Sequence, residues 1–307
     1  MGTTGPLPKG RPRAAASGTS LRGVAGDPAF PKWVKPRRYP DLRDDGVLLE
    51  GRPDKALVAQ FVRYGKRRLF INYALGSDIA DLDFLADFGS HLEGLDVIHG
   101  AIDDAGLRHC NNLLDLSLNT RRSGVLDWQP LWRLGRLFAY GRRFGKGGFD
   151  PLRLDDLYLY APKMRDLRPL AEQPLQHLAL APAQSLRSLA GLETLALTSL
   201  MLARTHRDLD LTALASQTEL EHLKLDKVTV ESLDWLAAMP RLRTLTLGDV
   251  GPLPTLAPLR GHANLETLHI YGMDRPPAAE ADMVAALPNL RTARVVGMDL
   301  PSRLAGG

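Results

Sequence analysis

Apolar positions recur along this chain with two alternating periods. From Leu220 to Leu242 they fall at Leu220, Leu223, Leu225, Val228, Val230, Leu233, Leu236 and Met239, and the next unit opens at Leu242, a step of 22 residues. The opening L-x-x-L-x-L has the period-2 alternation of a short strand, while the three-residue spacing after it suits a helical or 3-10 return. A unit this small presents an apolar edge that only a neighbouring unit covers. The pattern therefore predicts stacked coils sharing one continuous core, with a parallel sheet because every turn crosses over in the same sense.

The register extends over most of the chain. A degenerate first strand holds Leu69 and Ile71, and later strands open at Leu92, Leu113, Leu134, Leu154, Leu175, Leu192, Leu220, Leu242, Leu265 and Leu290, which makes eleven units. The steps between the later openings are 21, 21, 20, 21, 17, 28, 22, 23 and 25 residues, and the longest is assigned a bulging loop over Ala203 to Asp210. Residues 66–299 thus read as the solenoid and 300–307 as a C-terminal tail. Residues 41–65 read as a cap over its N-terminal end. There GVLLEG, LVAQFVRY and RRLFINY form strands, with a hairpin turn at Gly65-Lys66 between the last two, or else Pro53 to Tyr64 form a helix with Ala56, Leu57, Val58, Phe61 and Val62 on one face. Residues 1–40 are rich in Gly, Pro, Ala, Ser and Arg without sustained apolar periodicity, and are expected to be a disordered basic tail.

The unit L-x-x-L-x-L followed by apolar residues at three-residue spacing resembles the leucine-rich-repeat superfamily. Over Leu69 to Val296 it is most similar to the 22-residue class found in internalins and in phosphatase-regulating repeat proteins. The resemblance implies a right-handed α/β solenoid, with a curved parallel sheet on the concave face and short helical, 3-10 or loop returns on the convex one. One departure is plain. The ninth position, commonly Asn in that superfamily, is here Gly100, Arg121, Arg142, Leu200, Val228, Val250, Met273 or Met298, so the usual asparagine ladder is missing. The segment Asp81 to Leu85, DLDFL, after a strand-like lead-in is similar to bacterial leucine-rich-repeat proteins, and that resemblance implies an immunity-type role toward a secreted toxin.

Charge changes the picture only locally. The net charge of +4 resides in the first fifty residues, with nine Lys or Arg against five Asp or Glu, so the remainder balances. Overall charge is no argument for nucleic acid. The single Cys110 excludes an intramolecular disulfide and a cysteine-based zinc site, reads as a small buried residue, and fits a reducing, cytoplasmic location. No apolar run reaches the roughly 20 residues that span a bilayer. Motifs for chemistry are scarce: FGKGG at Phe144 to Gly148 lacks the spacing of a phosphate-binding loop and reads as a turn, and the eight His show no metal spacing. Trp128 and Trp132 are expected in convex-side packing. No cofactor or metal is implied.

The candidate site lies on the outward strand positions, those after the second and third leucines of each unit. In order these are Phe70 and Asn72, Asp96 and Ile98, Ser117 and Asn119, Phe138 and Tyr140, Tyr158 and Tyr160, Ala179 and Ala181, Ala196 and Thr198, Lys224 and Asp226, Thr246 and Gly248, His269 and Tyr271, and Arg294 and Val296. Phe138, Tyr140, Tyr158 and Tyr160 cluster on adjacent strands, and Asn119 to Gly148 carries Arg121, Arg122, Arg133, Arg136, Arg142, Arg143 and Lys146 against Asp127. Exposed aromatics ringed by arginine have the composition of an interface hot spot; as plain sheet packing they stack on one another beside a solvated basic face. The protein-binding residues are accordingly Arg121, Arg122, Arg136, Phe138, Tyr140, Arg142, Arg143, Tyr158 and Tyr160. The expectation is a non-enzymatic binding module for a protein with an acidic patch, acting as an immunity-type or regulatory partner of another bacterial protein. The alternative is single-stranded nucleic-acid binding through the same patch, which Asp96, Asp115, Asp155 and Asp156 nearby oppose.

Overall fold

The computed structural model describes residues 46–98, 100, 102–120, 125–140, 144, 148–251, 253, 255–272 and 280–304. The predicted tail over residues 1–40 and the arginines at 121, 122, 142 and 143 lie outside the described residues. Twelve strands follow in chain order among the described residues: β1 (Gly46–Leu48), β2 (Arg68–Asn72), β3 (Gly94–Ile98), β4 (Asp115–Asn119), β5 (Arg136–Tyr140), β6 (Asp156–Tyr160), β7 (His177–Leu180), β8 (Ser199–Ala203), β9 (His222–Asp226), β10 (Thr244–Gly248), β11 (Thr267–Tyr271) and β12 (Thr292–Val295). Each pairs in parallel with the next, so sheet order is chain order.

The L-x-x-L-x-L unit explains the register. Its second leucine stands opposite its counterpart on the neighbouring strand, as in Leu178 to Leu200 to Leu223 to Leu245 to Leu268, and all five are buried. Returns are short 3-10 turns such as Thr212–Ser216 and Asp234–Ala238. In a 3-10 turn residues three apart eclipse one another, so Leu233 and Leu236 both face the core, where each is 1% exposed.

The ends depart from the sequence expectation in instructive ways. Gly46–Leu48 adds a twelfth, parallel strand beside β2 in place of a hairpin strand. Helix α1 (Lys55–Arg63) realises the helical alternative for the cap: Asp54 Oδ1 accepts a hydrogen bond from Leu57 N at 2.8 Å, and Leu57 and Phe61, one turn apart, are buried. Phe61 packs edge-on against Phe88 of the short helix α2 (Leu85–Phe88), ring centroids 5.0 Å apart. Gly65, at φ +62°, ends the helix, so no hairpin turn forms at Gly65-Lys66. At the other end, α3 (Ala281–Ala285) precedes β12, and the predicted tail from residue 300 instead turns back to bury Leu304.

One unit was misregistered. The strand predicted to open at Leu192 opens at Leu197: Leu192–Thr194 is a 3-10 turn, and β8 places Leu200 and Leu202 against Leu178 and Leu180. Two overlapping matches, Leu192-x-x-Leu195-x-Leu197 and Leu197-x-x-Leu200-x-Leu202, satisfy the same pattern, and pairing to β7 decides between them. Steps of 17 and 28 become 22 and 23 residues, counted from Leu175 to Leu197 to Leu220, so residues 203–210 carry no excess. The outward residues of this strand are Met201 and Ala203 rather than Ala196 and Thr198.

The missing asparagine ladder has substitutes elsewhere in the unit. Gln173 Oε1 accepts from Leu154 N at 2.9 Å while its Nε2 donates to Leu152 O at 3.0 Å, and Gln217 repeats this with Leu197 N at 3.3 Å and Leu192 O at 2.7 Å. Both glutamines are buried, so they satisfy backbone groups that water does not reach. Asn112, Asn264 and Asn289, each just before an opening leucine, donate to Ser90 O, Pro240 O and Ala263 O at 2.8, 2.7 and 2.6 Å. His262 Nε2 reaches Met239 O at 3.0 Å from the turn position that Gln217 occupies. Since a carbonyl only accepts, this nitrogen carries the proton.

Candidate functional site

Outward residues form three rows across the sheet, because the alternation that faces leucines inward also exposes the residue before the second leucine. That third row, which the two-position reading omits, runs Arg68, Gly94, Asp115, Arg136, Asp156, His177 and Ser199 from β2 to β8. Extending the same period one step toward each strand's start reveals it in the sequence. A concavity of about 730 Å³ opens over β2 to β8, lined by this row apart from Gly94 and by Asp96, Ser117, Phe138, Tyr158, Ala179 and Met201 of the next.

The predicted aromatics meet on this face. Phe138 and Tyr158 are register partners whose rings stack at 4.4 Å and 18° from parallel, and Tyr140 and Tyr160 lie 4.7 Å apart at 59°. Tyr160 is 40% exposed and the other three are half-buried, and Phe138, Tyr158 and Tyr160 line the groove. Of the predicted arginines, Arg136 stands beside them on β5. Arg133 instead bonds Asn112 Oδ1 at 2.8 Å in the preceding return. Trp128 is buried against Phe144, rings 4.7 Å apart, whereas Trp132 is 60% exposed and not in convex-side packing. At the N-terminal end Phe70, Asp96 and Ser117 occupy outward positions yet are buried, because neighbouring side chains cover them.

Charges in the groove are largely spent on one another. Arg68 Nη1 reaches Asp115 Oδ2 at 3.0 Å, and Arg136 Nη2 meets the same oxygen at 3.1 Å. To span two strands Arg68 passes over β3 at Gly94, where a Cβ would lie 2.5 Å from Arg68 Cζ and push the guanidinium off this path. Farther on, His177 Nδ1 bonds Asp156 Oδ1. Asp96 lies 3.7 Å from Arg68 Nη1, too far for a hydrogen bond, and its Oδ2 has no hydrogen-bond partner. Burial first and Asp115 second push its carboxyl up to about 7; the opposing pull of Arg68 and Arg136 is the weaker effect. Cys110 is likewise driven up to about 12 by burial, so its thiol stays protonated and inert. Among the described residues no group of three or more His, Cys, Asp or Glu is placed to hold a metal ion.

A single sheet of consecutive parallel strands, with leucines in register and 3-10 returns, defines the class: the fold is a leucine-rich-repeat solenoid. Among solved structures the chain is similar to an internalin, inlF, from Listeria monocytogenes, with TM-score 0.53 and 16% identity over 85% of this chain and 84% of that one. It also matches internalin C2 (inlC2) from the same organism, with TM-score 0.39 and 19% identity over 64% of this chain and 77% of that one. No family model matches the sequence, and neither does a curated protein.

Proposed function

We propose that this chain is a non-enzymatic binding module that holds a protein partner against its concave sheet, with Phe138, Tyr140, Tyr158 and Tyr160 as the anchor. The observation that carries this is the two aromatic pairs, part-exposed side by side, with Phe138, Tyr158 and Tyr160 lining a groove of about 730 Å³. Rings already ordered by stacking lose little entropy when a partner covers them, which is the property of an interfacial anchor. A non-catalytic role agrees with Asp115 being engaged by Arg68 and Arg136, and Asp156 by His177. The buried lone cysteine supports a reducing, cytoplasmic setting, and the resemblance of the DLDFL segment makes an immunity-type or regulatory role the version we favour.

An acidic patch on the partner, expected from Arg121, Arg122, Arg142 and Arg143, finds no support in the described groove floor over β2 to β7, where Asp96, Asp115 and Asp156 face Arg68, Arg136 and His177. The same aspartates weigh against single-stranded nucleic acid. The test is affinity capture from the source organism with the immobilised chain, its Tyr158→Ala variant, and Glu172→Ala, which alters an exposed residue of a return. A protein retained by the chain and by Glu172→Ala but lost at least about fivefold with Tyr158→Ala supports the proposal. Equal retention by all three would make the aromatics sheet packing, and tighter binding of random single-stranded RNA than of any protein would favour the nucleic-acid reading.

A further inference from the structure

The concave face changes chemistry beyond β8. On β9 to β12 the row before the second leucine is His222, Thr244, Thr267 and Thr292, and the row after it is Lys224, Thr246, His269 and Arg294, all in register. Neither row contains a carboxylate, whereas the same two rows on β3 to β6 contain three, Asp96, Asp115 and Asp156. Cations elsewhere in the solenoid find acids across the strands, as Arg67 does Glu93, Lys227 does Asp249, and Arg243 and Arg291 do Glu266. Lys224, half-buried, and Arg294, exposed, make no ion pair among the described residues. Asp226, the outward acid two residues along β9 from Lys224, accepts a hydrogen bond from the Tyr271 hydroxyl at 3.3 Å over the bare backbone of Gly248. His269 Nε2 is buried without a hydrogen-bond partner.

We infer that this C-terminal third of the concave face, Lys224 through Arg294, takes an acidic, extended segment of the protein partner. The inference rests on the reading of the concave sheet as a protein-binding face and fixes how the partner lies on it: aromatic anchor over β5 and β6, acidic segment over β9 to β12. Spacing supports it. Strands sit about 4.8 Å apart, so Lys224 and Arg294, three strands apart, are separated by roughly 14 Å along the row. An extended chain rises about 3.3 Å per residue, so carboxylates four residues apart meet both cations. Between them Thr244, Thr246 and Thr267 offer hydroxyls, and His222 and His269 offer ring nitrogens, to the segment's carboxylates and backbone carbonyls. A half-buried ammonium without a counter-ion is costly, and the carboxylate removes that cost.

The test uses the full chain and a fluorescein-labelled oligoglutamate peptide, with binding followed by anisotropy at low ionic strength. Oligoglutamate should bind the unaltered chain in preference to oligolysine. The double variant Lys224→Ala, Arg294→Ala should weaken it about tenfold, the charge-keeping pair Lys224→Arg, Arg294→Lys should restore it, and Glu172→Ala, at an exposed residue of a return, should leave it unchanged. Equal binding by the alanine double variant, no preference over oligolysine, or tighter binding of oligouridylate of matched charge through the same two residues overturns the inference. Circular dichroism on both double variants separates lost binding from lost fold. Tyr158→Ala makes the two failures distinguishable: capture insensitive to it sinks the aromatic anchor, while oligoglutamate insensitive to Lys224 and Arg294 sinks only the acidic-segment assignment.

Discussion

Asp96 shows how one residue ties the groove's chemistry to the stability of the fold. It is 4% exposed and its carboxyl is pushed up to about 7 in the folded chain, against an ordinary value near 4 when unfolded. Between those limits the folded state holds the proton more tightly. Asp96 therefore favours folding most at acid pH, and its contribution is lost as pH rises from about 4 to about 7, with a flat region above. The shift bounds the loss at about 4 kcal/mol. Asp96→Asn should remove this slope: urea unfolding across pH 4 to 8 should show the variant gaining on the parent as pH rises and matching it at the acid end. A parent whose stability rises over that interval through Asp96 would contradict the assignment.

At the scale of the element, each strand works as one rung whose inward leucines lock to both neighbours. Leu223 stands between Leu200 and Leu245 and is 1% exposed. Leu223→Ala should cost about 2 to 5 kcal/mol, since transfer and cavity terms add where flanking rungs resist collapse. Denaturant unfolding measures this directly, and a loss below about 1 kcal/mol would mean the side chain is not in the core. The returns matter as much as the strands. Gln173 and Gln217 each stitch their turn to the segment leading into the strand of the unit before it, with one residue serving both a donor and an acceptor. The outward residues carry the proposed contacts. Because the same alternation that buries leucine presents Phe138, Tyr158 and Lys224, binding variants at these positions are separable from folding variants at their neighbours.

For the whole molecule, stability is a sum over units and their interfaces, and the two ends are closed by different means. Helix α1 seals the first strands with Phe61, while the C-terminal end depends on Leu304, which is fully buried in the turn Ser302–Leu304. A chain ending at residue 299 should lose amide protection in β11 and β12 by hydrogen exchange while β2 to β6 keep theirs, because each unit contacts only its neighbours. Uniform loss across all twelve strands would instead indicate a single cooperative block. The polarity of the concave face belongs to this scale too. Mixed charge and aromatics lie over β2 to β6, then hydroxyls, histidines and two cations without an ion pair among the described residues over β9 to β12, so the proposed binding mode has one direction.

How much of this was legible beforehand follows from which interactions are local. The repeat, the parallel sheet, the inward leucines and the adjacency of Phe138, Tyr140, Tyr158 and Tyr160 are all consequences of a fixed period, and the sequence by itself determines them. Pairing between neighbours decided the rest. The strand at Leu197 rather than Leu192 was fixed by its fit to β7, since two overlapping matches to one pattern are locally equivalent. Likewise α1 won over a hairpin because Leu57 and Phe61 find a core to fill. The spending of Arg68 and Arg136 on Asp115, across a glycine that leaves the path open, required side chains from β2, β4 and β5 to converge. Periodicity says which face a residue takes; which partner it meets there depends on residues tens of positions away, and only the folded sheet brings them within reach.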